Sequence, residues 1–568
     1  MAGNGAPPRK LLLASFDGYD RRWLRGDLIA GLTVWAVLVP EALAYATIAG
    51  VSPVVGLYAA PPALLLYALF GSSRHLVVGP MSATAALSAA AVADLVTNRQ
   101  EDFAAFTVAL AITTGIIALL AGLLRLGFLA NFVSEPVLKG FIIGLALTII
   151  IGQVPKLFGI EKGGENFFEQ QWNVVKHIDD AQLRTTLVGV LTLALVLALR
   201  RFAPIVPASL VAVVLGVIAV KVFDLSDKGV DIVGDIKSGF PSVGLPDGLD
   251  LDDYLSTAAS AVGIMLVGFA EGLGAAKTYA TRAHYEIDAN RELIGLGAAN
   301  LGSGLCSGMV VNGSLSKTAV NGSAGAKSQV SGVAVAALTI LTLLFLTSLF
   351  EDLPEATLAA VVIAAVIELV DVPALAELFR LHTTRLGRIY GAAARADFIA
   401  AVAALLGVLI FDTLPGLFIG IAVSLLLLLY RASRPNVAEL GAVPGTPGLF
   451  ADRRRHPEYA GTDGIRILRI EGGLFFANAD AAREIIKEHV DADTRAVVID
   501  AATIAFVDVT AVRMIDVLAG DLAREGVVLA FAHDIGQVRD MLREGEVTEN
   551  LRVFPTVDDA LDELSAHP

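Results

Sequence analysis

The amino-acid sequence predicts an all-α polytopic membrane protein that ends in a small α/β domain. Three observations carry that expectation. Of 568 residues, 55% are hydrophobic and only 17% are charged, with a mean hydropathy of +0.68, a balance foreign to soluble globular chains. Apolar runs of spanning or near-spanning length recur from Asp27 to about Tyr430. After Arg434 the pattern changes to a Pro- and Gly-bearing stretch followed by short strand- and helix-type segments.

Composition also narrows the function. A net charge of −15 and a pI near 5.0 argue against a nucleic-acid partner, while leaving room for an anionic ligand wherever the local potential is positive. The single cysteine, Cys306, lies in an apolar run and reads as a small packed residue, and no disulfide framework is possible. Residues 1–25 carry Arg9, Lys10, Arg21, Arg22 and Arg25 around one short apolar stretch, Leu11 to Ala14. They lack a signal-peptide core and are expected to be a cytoplasmic segment. The eight histidines show no metal-ligand spacing and no G-x-x-x-x-G-K-[ST] phosphate loop occurs, so no metal, cofactor or ATP-driven step is expected.

Taken in order, the runs lie near 27–49, 54–70, 79–96, 104–124, 133–154, 183–202, 204–223, 255–276, 290–309, 313–328, 330–350, 354–370, 396–412 and 414–430, about fourteen transmembrane segments. Basic residues collect at Arg21/Arg22/Arg25, Arg74, Arg125, Arg200/Arg201, Lys277/Arg282, Arg380/Arg385/Arg388 and Arg431/Arg434. With both termini in the cytoplasm, each cluster falls on the inner side. The alternate loops at 97–103, 224–253 and 351–355 are acid-rich, the longest carrying Asp224, Asp227, Asp231, Asp235, Asp247, Asp250, Asp252 and Asp253. That is the positive-inside distribution for an even count, and it places the chain in a cytoplasmic membrane.

The runs split at the 224–253 loop into two sets of seven. Each set opens with a helix carrying one carboxylate 14 residues in: Glu41 counted from Asp27, and Glu271 counted from Thr257. From Glu41 to Gly79 is 38 residues, and from Glu271 to Gly313 is 42. Seven is odd, so the second copy enters the membrane from the opposite side and the repeat is inverted.

Gly79 and Gly313 mark two polar interruptions, Val78-Gly79-Pro80-Met81-Ser82-Ala83-Thr84-Ala85 and Asn312-Gly313-Ser314-Leu315-Ser316-Lys317-Thr318-Ala319-Val320-Asn321. Backbone freed at membrane depth is tolerated only where it lines a cavity or packs on protein. Paired breaks in two halves point to a transporter binding site. If each break starts a half-helix, its first N–H groups and its dipole favour an anion. Pro80 suits a first helical turn, Gly79 and Gly313 admit close approach, Ser82, Thr84, Ser314 and Ser316 add hydroxyls, and Lys317 adds the one cation. A buried lone ammonium needs a negative partner, which an anionic substrate near that turn supplies. The plainer alternative is that the small residues serve helix packing and Lys317 snorkels to the inner surface. The glycosylation patterns Asn312-Gly313-Ser314 and Asn321-Gly322-Ser323 are accidental at membrane depth.

Glu41, in Val39-Pro40-Glu41-Ala42-Leu43-Ala44-Tyr45, is a candidate proton carrier, as an isolated carboxylate within a span is by default. A structural hydrogen bond to backbone freed by Pro40 is the alternative. Glu271, among Gly268, Gly272 and Gly274, carries the same two options. Tyr45, one turn beyond Glu41 on the same face, either walls the site or packs as an ordinary aromatic.

Past Arg434 the expected organisation is a linker over 434–463 and an α/β domain over 464–568. Strands are expected at Ile465 to Ile470, Ala496 to Asp500 and Val527 to Ala532, and helices at 480–490, 509–524, 535–544 and 557–565. The preceding span ends inside, so the domain is expected in the cytoplasm.

Several stretches resemble the sulfate permease (SulP) family of anion transporters with a carboxy-terminal STAS domain, from about Arg21 to Leu564. They are Arg25-Gly26-Asp27-Leu28-Ile29-Ala30-Gly31-Leu32-Thr33-Val34, Pro40-Glu41-Ala42-Leu43-Ala44-Tyr45-Ala46, Gly71-Ser72-Ser73-Arg74-His75 leading into Val78-Gly79-Pro80, Asn290-Arg291-Glu292-Leu293-Ile294-Gly295-Leu296-Gly297-Ala298-Ala299-Asn300, and Gly313 to Asn321. The resemblance implies a seven-plus-seven inverted repeat divided into core and gate domains, and a homodimer. Substrate is then held between the third and tenth helices, facing the first and eighth. Carried over by motif, Glu41, Tyr45, Met81, Ser82, Ala83, Ser314, Leu315, Ser316 and Lys317 line the site. Many relatives have Arg where this chain has Lys317, which keeps the charge but loses the planar fork. Sodium-using relatives carry Asp and Thr on the eighth helix, where this chain offers Glu271 among glycines, so protons are favoured over sodium. In the STAS domain, Asp508-Val509-Thr510 lies where antagonists carry a phosphorylated serine. Thr510 is therefore a candidate phosphate acceptor, although Ala511 replaces the usual glycine and a plain strand-to-helix turn is the alternative.

The combined expectation is a secondary active transporter, not an enzyme, that takes up a small oxyanion with a proton by moving core against gate. Sulfate comes first, bicarbonate or a dicarboxylate such as fumarate second. An uncoupled anion channel and a sensor whose STAS domain is the output are the rivals of another class.

Overall fold

The computed structural model describes residues 12–566 except 17, 97–101, 165, 204–205, 235, 237, 381–394, 412, 534–535 and 546–550. Arg9, Lys10, Asp235, Arg385, Arg388 and most of the acidic loop at 97–103 therefore lie outside the described residues. Helices fall on every predicted apolar run. They are α1 (Leu24–Ile48), α2 (Pro53–Phe70), α3 (Ser82–Leu95), α4 (Phe103–Leu123), α5 (Glu135–Phe158), the short α6 (Phe167–Lys176), α7 (Leu183–Phe202) and α8 (Ala208–Phe223) in the first half. The second half contains the short α9 (Leu251–Ser256), then α10 (Ala258–Arg282), α11 (Ala289–Leu305), α12 (Leu315–Ser323), α13 (Val330–Phe345), α14 (Glu355–Val366), α15 (Val372–Arg380), α16 (Ala396–Phe411) and α17 (Thr413–Ala432). Among the described residues eight helices are long and apolar enough to cross a membrane unaided. The interruptions at Gly79 and Gly313 shorten α3 and α12, and each is preceded by a three-residue strand, β1 (Val77–Gly79) and β2 (Asn312–Ser314).

The helices form two sets. In one, α11 packs on α4 and α2, and α1 packs on α13 and α2. In the other, α14 packs on α7 and α5, and α7 packs on α8. The two sets meet along α1, which also touches α14 and α8. Asp27, fully buried in the first turn of α1, accepts from Lys327 N at 2.6 Å, Ser328 N at 3.1 Å and Ser328 Oγ at 2.7 Å. One carboxylate thus satisfies the turn that leads from α12 into α13, and ties the two halves together. Glu292 on α11 does the same for the turn before β1. It accepts from Tyr67 Oη at 2.6 Å, Ser72 Oγ at 2.6 Å, Ser72 N at 2.8 Å and Ser73 N at 3.0 Å.

The tail forms a second compact unit, a six-stranded sheet in the order β4-β3-β5-β6-β7-β8. Its members are β3 (Asn436–Ala442), β4 (Phe450–Asp452), β5 (Ile465–Glu471), β6 (Ala496–Asp500), β7 (Val528–Ala532) and β8 (Leu551–Phe554). The helices are α18 (Ala479–Glu488), α19 (Val509–Arg524), α20 (Gly536–Glu544) and α21 (Val557–Ala566). Strands β5 to β8 are parallel, and both faces are buried, which explains their near-continuous apolar runs. Alternate residues feed two cores: Leu468, Ile470, Val497, Ile499, Leu529 and Phe531 in one, and Ile465, Ile467, Val498 and Ala530 in the other. The stretch read as a linker is not empty. Asn436–Ala442 pairs antiparallel with β5, Asn436 opposite Glu471, and buries Val437 and Leu440. Its strand character was masked by the prolines and glycines on either side.

Candidate functional site

The two interruptions meet. β1 and β2 pair antiparallel, with Val77 opposite Ser314, Val78 opposite Gly313 and Gly79 opposite Asn312, so α3 and α12 start from one two-stranded ribbon. Such pairing deals with the orphaned backbone that a broken span creates. Side chains of the second segment finish the task. Thr318 Oγ1 accepts from Val77 N at 3.0 Å, and Asn321 Nδ2 donates to His75 O at 2.9 Å. Gln329 Nε2 donates to Ser73 O at 2.9 Å and Leu76 O at 2.8 Å. The ribbon needs glycine at its tightest point. A Cβ on Gly313 would lie 2.8 Å from Leu76 Cδ2 and 3.0 Å from Gly272 Cα, on α10.

Lys317, in the first turn of α12, is 1% exposed. Its Nζ lies 3.0 Å from Glu41 Oε2, donates to Pro80 O at 3.1 Å, and sits 4.9 Å from the centroid of the Tyr45 ring. Three residues singled out separately, Glu41, Tyr45 and Lys317, therefore form one cluster at the start of α12. The expectation that Lys317 offers an open positive charge needs revision, because Glu41 already neutralises it. Pro80 differs too: α3 begins at Ser82 with Met81 as its N-cap residue, so Pro80 precedes the helix and contributes its carbonyl.

Ser82 and Ala83 open α3 and are buried, as is Met81. Ser314 caps α12, accepting from Lys317 N at 3.3 Å, and its hydroxyl is 3.2 Å from Ser316 Oγ. Leu315 is 50% exposed. Glu271 stays out of the ion pair, and its Oε2 is buried without a hydrogen-bond partner among the described residues. In the tail, Asp508 caps α19 by accepting from Ala511 N at 2.8 Å. Thr510 is exposed in that helix's first turn, and Ala511 is fully buried beneath it.

A cleft of about 400 Å³ opens beside the cluster. Glu41, Tyr45 and Ser316 line it, and Arg200, Ser209 and Glu368 contribute from α7, α8 and the turn after α14. Arg200 entered the sequence reading only as a marker of the inner membrane face, since nothing local distinguishes a charge that lines a cleft from one that faces water. Among the described residues no group of three or more His, Cys, Asp or Glu could hold a metal ion.

Residues 24–390 match the model of the sulfate permease family, and residues 456–560 match the STAS domain. The chain belongs to the sulfate permease family. A probable sulfate transporter of Mycobacterium tuberculosis is 36% identical over 555 residues, covering 97% of both chains. The high affinity sulfate transporter 2 of Stylosanthes hamata is 29% identical over 573 residues, covering 96% of this chain and 84% of its own. Among solved structures, SLC26A9 superposes with a TM-score of 0.86 at 22% identity, covering 98% of this chain and 93% of that one. The transmembrane domain of a cyanobacterial bicarbonate transporter superposes with a TM-score of 0.59 at 24% identity, covering 69% of this chain and 98% of that domain. These two show the fold. The sulfate permease chain described here is thus a multi-pass membrane anion transporter with a carboxy-terminal STAS domain, and its family is one of transporters rather than enzymes.

Proposed function

We propose that this sulfate permease takes up sulfate together with a proton across the cytoplasmic membrane by alternating access, binding the anion between the first turns of α3 and α12. The buried Glu41–Lys317 pair carries the reading. With Glu41 ionised the pair is neutral, and an arriving sulfate would add its two negative charges to that of Glu41 beside one cation. With Glu41 protonated, Lys317 loses its counter-charge, and a buried unpaired ammonium costs several kcal/mol. A sulfate oxygen at Lys317 restores the balance, assisted by the N–H groups of the two helix starts. Proton and anion binding therefore favour one another, which is the thermodynamic requirement for symport. Moving the core set against the gate set along α1 then exposes the loaded site to the other side.

The names of the curated relatives support sulfate, and the distribution of Arg and Lys supports cytoplasmic termini. The test is radiotracer uptake into proteoliposomes with a panel of sulfate, bicarbonate and fumarate, each with and without proton and sodium gradients. Sulfate uptake driven by an inward proton gradient is expected. Glu41→Gln should abolish gradient-driven uptake while retaining anion binding. A variant with the wild-type gradient dependence would overturn the proton role of Glu41.

A further inference from the structure

Lys317 is buried and already paired, and it does not line the open cleft. The one cationic side chain among the described residues lining that cleft is Arg200, in the last turn of α7. Its position is fixed from one side only: Nη1 donates to Ala364 O at 2.7 Å and to Glu368 Oε1 at 3.0 Å. Those two bonds use both hydrogens of Nη1. Among the described residues Nε and Nη2 have no hydrogen-bond partner, leaving three donors on the guanidinium edge that matches an oxyanion bidentately. Across the same cleft lies Ser209, whose residue is 4% exposed. Its hydroxyl has no hydrogen-bond partner among the described residues.

We propose that Arg200, steadied by Glu368 and the Ala364 carbonyl and faced by the Ser209 hydroxyl, forms a cytoplasmic-side subsite in the cleft for the transported oxyanion, separate from the Glu41–Lys317 pair and met by the anion on its way out during uptake. This rests on the reading of the protein as an oxyanion transporter and adds a step to it. An anion in the cleft meets the free edge of Arg200 as one station and the helix starts as another. Glu368 has two effects: it orients the guanidinium, and its charge opposes the anion. The subsite is therefore poised for weak, reversible contact, as a release station must be if the ligand is to move on. Arg200 belongs to an inner-face cluster, so the subsite serves the cytoplasmic side.

The sidedness supplies the test. Radiolabelled sulfate flux is measured in inside-out and in right-side-out vesicles holding the full chain, and the KM ratio between the two orientations is the readout. In Arg200→Gln, KM in inside-out vesicles should rise about tenfold relative to KM in right-side-out vesicles, the loss expected for a partly solvated charged hydrogen bond. Glu368→Gln keeps the guanidinium and removes the opposing charge, and should shift the ratio the other way by a few-fold. This second variant decides the matter if Arg200→Gln does not fold. An unchanged ratio in both variants, or an equal KM change in both orientations, overturns the cytoplasmic-side subsite while leaving the transporter reading intact. Absence of saturable flux in wild-type vesicles of either orientation overturns both.

Discussion

Lys317 Nζ lies 3.0 Å from Glu41 Oε2, with the side chains 1% and 5% exposed, and Lys487 Nζ lies 2.7 Å from Asp521 Oδ2, with the side chains 37% and 12% exposed. The separations are alike, yet the pairs do different work because their surroundings differ. In the membrane unit the two charges face one another out of water, with the Pro80 carbonyl as a further acceptor for Lys317. In the tail Asp521 is shared among Lys487, Arg483 and Arg524, with water at hand. A pair held out of water responds strongly to any change in the charge of one member, so it can act as a switch. A redundant, wet pair cannot.

The sharpest way to break this contrast is to remove one member of the buried pair. Lys317→Gln leaves Glu41 buried and unpaired, and should destabilise the membrane unit by about 3–5 kcal/mol, seen as a lower thermal midpoint of the detergent-solubilised protein. Sulfate uptake should vanish as well. Glu41→Gln combined with Lys317→Gln should recover most of the lost stability and none of the uptake, because Glu41 no longer leaves an unpaired charge. If the double variant were as unstable as the single one, packing rather than charge would explain the loss.

Next in size is the ribbon that positions the pair. Gly313→Ala places a Cβ against Leu76 and the backbone of Gly272, an overpacking expected to cost about 1–3 kcal/mol. The strand register would shift and Lys317 with it, so anion affinity by calorimetry should fall together with the midpoint. Gly274→Ala, on α10 two residues past Gly272 and so turned away from the ribbon, adds a Cβ that meets nothing within 4 Å and is the control. A wild-type affinity in Gly313→Ala would show that the site tolerates movement of the ribbon.

These positions also show what the sequence could and could not disclose. Hydrophobic length alone placed the helices, because a bilayer forbids exposed backbone and forces long apolar runs. Glu41, Lys317 and the two interruptions stood out for the same reason, since polar groups at that depth are costly. The pairing of Val77 with Ser314, the salt bridge itself and the Pro80 carbonyl were not legible, because they are contacts between segments more than 200 residues apart in the chain. Within the tail, α19 began and ended where its apolar period and the Asp508 cap predict. The strand Asn436–Ala442 was hidden by the turn residues beside it, and β8 by its two exposed central residues.

The smallest expected effect lies at the wet pair. The Lys487 ammonium first, and the Arg483 guanidinium with it, hold the Asp521 carboxyl down at about 2. A carboxylate depressed in the folded state stabilises above its unfolded value of about 3.9 and loses that contribution as the pH falls toward 2. Protection of α19 against hydrogen exchange, taken relative to the intrinsic rate at each pH, should therefore fall over that window in the wild-type chain, and Asp521→Asn should flatten the dependence there while changing little at neutral pH. An Asp521→Asn chain with the wild-type acid profile would assign the acid sensitivity to other carboxylates. A large loss of protection at neutral pH would instead show that this pair, despite its solvent and spare partners, resists substitution as the buried one does.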